Sequence, residues 1–391
     1  MRSALDCVPC FVAQALSVAR LATTEEPVRE RIVREALRAA SEADLSLSPV
    51  SFGRGMHRRV RELTGLADPY LPIKEESNRL ALALLPAWRE RLQAAENPRV
   101  AAVKLVLAAN AIDFGIKGDL TAEQIPAALE SSFAGQLKGD VDGFFAATER
   151  ARDILFLADN AGELVFDRLL LELLPHHKIT VVVKGGPAIN DALRADATVA
   201  GFDGWVEVID TGCDGAGIEL AACSPEFQRR FASASLILAK GQANYESLDG
   251  CGQNIFFLFK VKCPVVAKHI GHEVGSLVLH HNTPGVANRR ATLPPNEARK
   301  PNSTTEDNRQ RKDKIMIPMS DGTGPLGQGP AGKGLGLCGG GQRRSGGGGR
   351  DRGGQGQGQG RGRGSGRGRG QGGTMPQPQP PPNTPTESKP G

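Results

Sequence analysis

The sequence predicts an α/β protein: a helical N-terminal domain, a second domain built on a largely parallel sheet, and a disordered C-terminal tail. Three observations carry this. From Ile154 to about Leu279 short β-branched and aliphatic runs alternate with helical stretches, which is the rhythm of βαβ crossovers. The first 150 residues instead place their apolar side chains at helical spacing. After residue 285 there is no Phe, Tyr or Trp, and Gly, Gln, Arg and Pro dominate. Such a segment lacks the apolar surface that offsets the entropy of ordering. The expected divisions are 1–150, 151–285 and 286–391.

Taken in order, Asp6 caps a helix carrying Phe11, Val12, Ala15, Leu16 and Ala19. Thr24, with Glu25, Glu26 and Pro27, opens a second through Val28, Ile32, Val33, Ala36 and Leu37. Pro69 and Pro72 break the chain around Tyr70, and a long helix follows from about Lys74 to Ala95. Asn97-Pro98 supplies a cap and a proline at the first helical position, opening a helix to Ile112. Thr121 with Gln124 fits a capping box, and helices near Phe144 and Ala151 lead into the sheet. The predicted strands are Ile154–Ala158, Ile179–Lys184, Val206–Ile209, Leu236–Ala239, Ile255–Phe259 and Val265–Ala267, with Val274–Leu279 as an edge strand. Glu163 to Leu174 reads as the first crossover helix.

The formal net charge of +5 describes neither part of the chain. Residues 286–391 hold 18 Lys and Arg against 7 Asp and Glu, a net of +11, which leaves −6 for residues 1–285. Seven scattered cysteines, no basic-then-apolar leader and no run of membrane-spanning length predict a reducing, cytoplasmic setting, free or metal-bound thiols, and no membrane.

The chemistry gathers at strand ends. Ligands of open parallel sheets lie beyond the carboxyl ends of the strands. The first predicted strand runs into Asp159-Asn160-Ala161-Gly162, and the second into Gly185-Gly186-Pro187-Ala188-Ile189-Asn190-Asp191. Two carboxylates and one or two amide oxygens would surround a hard divalent cation and leave it open positions. Mg²⁺ or Mn²⁺ suits the set, with Ni²⁺ and Co²⁺ also open. The bland alternative is that both Asx pairs cap helices. The strand Leu236–Ala239 ends in Lys240-Gly241-Gln242-Ala243-Asn244. A lysine, a glycine that lets backbone amides approach an anion, and an amide donor make phosphate-binding chemistry without a Walker motif. Lys262 adds a second cation. Solvated surface lysines are the alternative. Cys7-x-x-Cys10 is half of a metal or redox motif and needs a third ligand from elsewhere in the fold; two small buried hydrophobes are the other reading.

The series Asp159-Asn-Ala-Gly-Glu163, Ile189-Asn-Asp191 and Lys240-Gly-Gln-Ala-Asn-Tyr-Glu246 resembles the metal-dependent damage-control phosphatases. The N-terminal half agrees with it through Leu5-Asp-Cys-Val-Pro-Cys10, Asp68-Pro-Tyr70, Lys74 with Ser77-Asn78, and Ala109-Asn-Ala-Ile-Asp-Phe-Gly115. The resemblance covers about 1–280. It implies a helical domain packed on a Rossmann-like α/β/α domain, and a divalent metal (Mn, Co, Ni or Mg) on Asp159, Asn160 and Asp191. It further implies phosphate contacts at Lys240, Gly241 and Asn244, less directly at Lys262, with Glu163 lining the pocket; Asn190, beside Asp191, is read from the turn itself as a further substrate contact. The implied activity is hydrolysis of phosphate monoesters of small metabolites, sugar phosphates or damaged phospho-metabolites. The alternative is a non-catalytic phospho-ligand or metal-binding protein whose tail binds RNA weakly.

The tail stands apart. Asp321 to Pro330 and Gly334 to Cys338 resemble short glycine-rich polypeptides that begin at a methionine, and Met316 and Met319 stand just before. The pattern suggests two fused reading frames. The RG run from Arg361 to Gly370 reads either as a weak, salt-sensitive nucleic-acid contact without stacking aromatics or as a solubilising tail.

Overall fold

The alternation that begins at Ile154 folds as the middle of a seven-stranded sheet. The computed structural model describes residues 1–110 and 123–283. Ala111–Gly115, Thr121 of the expected capping box, and all the tail motifs lie outside the described residues. Helices α1 (Cys7–Ala22), α2 (Glu26–Ser41), α3 (Pro49–Thr64), α4 (Leu71–Gln93), α5 (Pro98–Ala109) and α6 (Ile125–Phe133) come first. The remainder alternates: β1 (Leu137–Lys138), α7 (Val141–Arg150), β2 (Ile154–Leu157), α8 (Glu163–Leu171), β3 (Ile179–Val183), α9 (Arg194–Val199), β4 (Glu207–Asp210), α10 (Pro225–Ser233), β5 (Leu236–Lys240), α11 (Gln242–Leu248), β6 (Ile255–Lys260), α12 (Pro264–Ile270) and β7 (Leu277–Asn282).

The strand order is β1-β7-β6-β5-β2-β3-β4, parallel throughout except for the antiparallel pair β6 and β7. From β2 the chain winds outward through β3 and β4, crosses back to β5, then winds the other way. The reversal falls between β2 and β5, the crevice where such sheets bind ligands. Side chains alternate between the faces. Ile154, Phe156, Val181, Leu238 and Leu258 enter one buried cluster with α4, α5, α7 and α8. Leu155, Leu157, Val182, Ile237 and Phe257 enter another with α10, α11 and α12. Each buried Phe or Leu contributes roughly 1.5–3 kcal/mol relative to exposure. The α/β protein with helices on both faces is therefore as expected. A third cluster, Ala15, Val18, Ala19, Ile32, Ala36, Met56 and Val60, joins α1, α2 and α3.

Local signals explain most boundaries. Asn97 accepts the Val100 N–H at 3.1 Å and opens α5. Asp6 stands at the α1 N-cap position but makes no side-chain cap bond. Three expectations are corrected. Val265–Ala267 is helical, because Pro264 takes the first helical position and Cys263 Sγ accepts the Val266 N–H. Val274–Leu279 becomes β7, shifted toward Asn282, and it is one strand in from the edge. The edge is β1, two residues long, within a segment read as helical.

Candidate active site

At the end of β2 the backbone is strapped to the loop after β3. Asn160 and Asp191 form an isolated antiparallel bridge. The Ala161 N–H donates to Asn190 O at 2.9 Å, and the Ala192 N–H to Asp159 O at 2.8 Å. Asp159, Asn160, Asn190 and Asp191, far apart in sequence, thus share one rim. None of the four is more than 7% exposed. Neither Asx pair begins a helix: α8 starts at Glu163 after Gly162, and α9 at Arg194 after Leu193. The capping alternative is thereby removed. Ile189, just before the pair, has φ 47°, a sterically costly conformation for a β-branched residue, worth of order 1–3 kcal/mol.

Carboxylates crowd this rim. Asn110 Nδ2 donates to Asp159 Oδ2 at 2.5 Å and to both Glu163 oxygens at 3.1 and 3.2 Å. Asn160 Nδ2 donates to Glu163 Oε1 at 2.7 Å. Burial, then the charges of Glu163 and Asp191, hold Asp159 well above the usual carboxylate range. Burial lifts Asp191 to about 6, against the pull of Lys184, which pairs with it at 3.4 Å. Carboxylates that resist ionisation because burial outweighs the lysines around them make a site whose chemistry fits an added cation. Among the described residues no group of three or more His, Cys, Asp or Glu is arranged to hold a metal. A cation here would take two carboxylates and the Asn160 amide, leaving positions for other oxygens.

The β5 end closes the site from the other side of the crevice. Gly241, at φ 82°, lies so close to Asp159 that an added Cβ would overlap its carboxylate. Lys240 is fully buried; its ammonium donates to Glu163 Oε2 at 3.1 Å and Asp167 Oδ1 at 2.7 Å. Those two acids hold the lysine protonated despite burial. Burial lifts Asp167 to about 7. Asn244 Nδ2 donates to Lys240 O (2.7 Å) and Ala158 O (3.3 Å), and its buried Oδ1 has no partner. It ties the β2 and β5 ends together and presents no spare amide donor to an anion. The Lys262 N–H donates to Gln242 Oε1 at 2.8 Å, and its charge reaches Asp159.

Cys7 and Cys10 lie on the first turn of α1. Cys7 is buried and its thiol is pushed up by desolvation, while Cys10 is exposed. The third metal ligand expected of the fold is not found among the described residues.

Asn110 and several further residues outside the sequence-based site set belong to the cluster. Asp167 lies one helical turn beyond Glu163 on α8, and the i,i+4 spacing was the available signal. Lys184-Gly185 follows β3 as Lys240-Gly241 closes β5. Lys74, 1% exposed, forms an ion pair with Asp68 without hydrogen-bond geometry, and its charge reaches Asp191. Asn78 accepts the Gly162 N–H at 2.7 Å and donates to Asp196 at 2.7 Å, fixing the turn after Asn160.

Residues 3–278 match the family described as the damage-control phosphatase ARMT1-like domain. A damage-control phosphatase of Archaeoglobus fulgidus is 34% identical over 285 residues, covering 70% of this chain and 96% of that protein. One of Pyrococcus horikoshii is 31% identical over 288 residues, 72% and 99% of the two chains. An uncharacterised protein of Methanocaldococcus jannaschii is 35% identical over 286 residues, 70% and 93%. The crystal structure of a DUF89 family protein from Pyrococcus horikoshii is similar in fold, with TM-score 0.66 and 29% identity, covering 72% of this chain and all of that one.

Proposed function

The chain belongs to the damage-control phosphatase ARMT1-like family, and from that premise we propose that it is a divalent-metal-dependent phosphatase of small phosphorylated metabolites, sugar phosphates or damaged phospho-metabolites. The observation that carries the reading is the strap joining Asp159-Asn160 to Asp191 at the reversal point of the sheet. Asp159, Asn160 and Asp191 would hold the ion, Mn²⁺, Co²⁺, Ni²⁺ or Mg²⁺. Bound there, a divalent ion supplies electrostatic polarisation of a phosphoryl oxygen.

The chain's own groups do the rest. Gly241 lets the Asp159 carboxylate lie directly against the β5 turn, since any side chain would fill the space that carboxylate takes. Lys240 uses two of its three N–H donors on Glu163 and Asp167. We assign the third to a phosphate oxygen, and Lys262 adds positive charge near Asp159. Glu163, held by Asn110, Asn160 and Lys240, and Asn190 line the pocket. Positioning and charge of this kind make up most of the catalysis phosphoryl transfer requires.

The test is a panel of phosphate esters, p-nitrophenyl phosphate and several sugar phosphates, assayed on chelator-treated full-length protein without metal and with Mn²⁺, Co²⁺, Ni²⁺ or Mg²⁺ in turn. Hydrolysis that appears with the metal and vanishes with chelator is the expected result. No turnover of any ester with any of the four metals would return the chain to the binding-protein alternative. No helix among the described residues is long and apolar enough to cross a membrane.

A further inference from the structure

Two thiols outside the acid cluster face each other in the loop between β4 and α10. Cys213 Sγ and Cys223 Sγ are 3.7 Å apart, both reduced. A disulfide needs about 2.05 Å. Cys213 is half-buried and Cys223 buried. The Thr211 hydroxyl lies 3.5 Å from Cys213 Sγ.

This loop is clipped to the one that carries Asp191. The Gly185 N–H donates to Cys213 O at 3.0 Å. Gly185 packs so tightly on Gly212 and Cys213 that an added Cβ would sit 2.6 Å from Gly212 Cα. The buried Lys184 ammonium donates to Gly217 O, between the two cysteines, and pairs with Asp191 at 3.4 Å. Arg61 of α3 bridges the same two loops, donating to Pro187 O at 2.9 Å and pairing with Asp214. A shift of the thiol loop therefore has three routes to Asp191: Lys184, Gly185 and Arg61.

We propose that Cys213 and Cys223 form an oxidation site for hydrogen peroxide, and that closing their disulfide disturbs the Lys184–Asp191 contact and slows turnover at the acid cluster. The second half rests on the phosphatase reading; the first half does not. Cys213 gives up its thiol proton and its sulfur attacks one peroxide oxygen. The O–O bond breaks, and the departing hydroxide takes up the proton as water, leaving a sulfenic acid. The Cys223 sulfur attacks that sulfur. The S–S bond forms, the S–O bond breaks, and the second water carries away the Cys223 proton. Two thiols and one peroxide give one disulfide and two waters, with two electrons passing from sulfur to oxygen. The order of attack follows access: Cys213 is half-buried and Cys223 buried, and the Thr211 hydroxyl beside Cys213 Sγ favours its thiolate. Closure brings the sulfurs roughly 1.6 Å nearer. In a reducing compartment such a bond is transient, the usual mark of a redox sensor.

The experiment uses the reduced full chain, challenged with graded hydrogen peroxide, cleared of peroxide, and divided. One portion is alkylated and mapped without reduction; the other is assayed on p-nitrophenyl phosphate with Mn²⁺. Both thiols fall on one tryptic peptide, 195–229. That peptide should appear unalkylated and lighter by two hydrogens. Activity should fall at least about fivefold and return with dithiothreitol. Cys213→Ser and Cys223→Ser should keep the untreated activity and lose the response, and Cys223→Ser should trap a dimedone-reactive Cys213; Cys213→Ala serves if the serine variant misfolds. Full alkylation of both thiols at a dose that oxidises the exposed Cys10 would overturn the oxidation site. A complete disulfide at undiminished activity would overturn its coupling to Asp191. If the reduced chain hydrolyses no ester, the phosphatase reading fails while the peptide map still decides the oxidation site.

Discussion

Two groups of opposite charges in this chain obey different rules. Across α2 and α3, Glu35 pairs with Arg59 at 2.7 Å and with Arg31 at 3.0 Å. The three side chains are 26–60% exposed. The Arg59 guanidinium, then Arg31, holds the Glu35 carboxyl down to about 2. At the end of β5, Lys240 meets Glu163 and Asp167 at similar distances, with all three side chains at 0%. There burial lifts Asp167 to about 7. The same pairing eases ionisation in one place and fails to offset desolvation in the other. Exposed pairs contribute about 0–1 kcal/mol, and buried ones are often no better than apolar replacements. Charge kept where it adds so little stability is better explained by chemistry at the sheet end than by folding.

The contrast can be broken most forcefully at Asp159. Asp159→Asn removes a carboxylate that Glu163 and Asp191 already disfavour. Metal-dependent ester hydrolysis should fall about 10³-fold, while the chelator-treated protein melts no lower than the parent. Parallel loss of activity and melting temperature would mean that Asp159 is a structural group. Lys240→Met comes next. It strands Glu163 and Asp167 without their cation and should cost about 3–5 kcal/mol in urea unfolding. Adding Asp167→Leu should restore much of that, and a double variant as unstable as the single one would deny that the three are coupled.

A pH series sharpens the comparison. The folded pKa of Asp191, about 6, lies above the ordinary value near 3.9. The unfolded chain therefore releases its proton first, and stability falls as pH rises from about 4 to about 6, then levels. The contribution is at most about 3 kcal/mol. Urea midpoints in chelator should show this slope, reduced in Asp191→Asn; equal slopes in the two proteins would contradict the assignment. Glu35 runs the other way, losing stability only as pH drops from about 4.5 toward about 2. Glu35→Ala at pH 7 is the smallest expected effect, under about 1 kcal/mol and weaker in high salt.

Much of the site was legible because strand ends are ordered by topology. A short apolar run ends in Asp159-Asn160, and the loop after a second carries Asn190-Asp191; the pairs come to one end of the sheet if the two strands are neighbours, and β2 and β3 are. Lys240-Gly241 followed from the same logic once β5 paired with β2. What escaped depends on what surrounds a residue rather than on its spacing. Asp167 sits among helical leucines, and its sequence does not say that its face of α8 meets a lysine. Asn244 carries an amide donor, and its spacing does not say that two backbone carbonyls accept from it. Val265–Ala267 has strand-like residues, and Pro264 with the Cys263 cap outweighs them.

The account turns on whether Asp159, Asn160 and Asp191 grip one ion beside the Gly241 turn. Anomalous diffraction from crystals soaked in MnCl₂ and inorganic phosphate answers this directly. One manganese peak within coordination distance, about 2–2.5 Å, of oxygens from all three residues, with phosphate lying between it and Gly241, is the predicted result. Manganese bound elsewhere, with these three side chains still in their present hydrogen bonds, would contradict it.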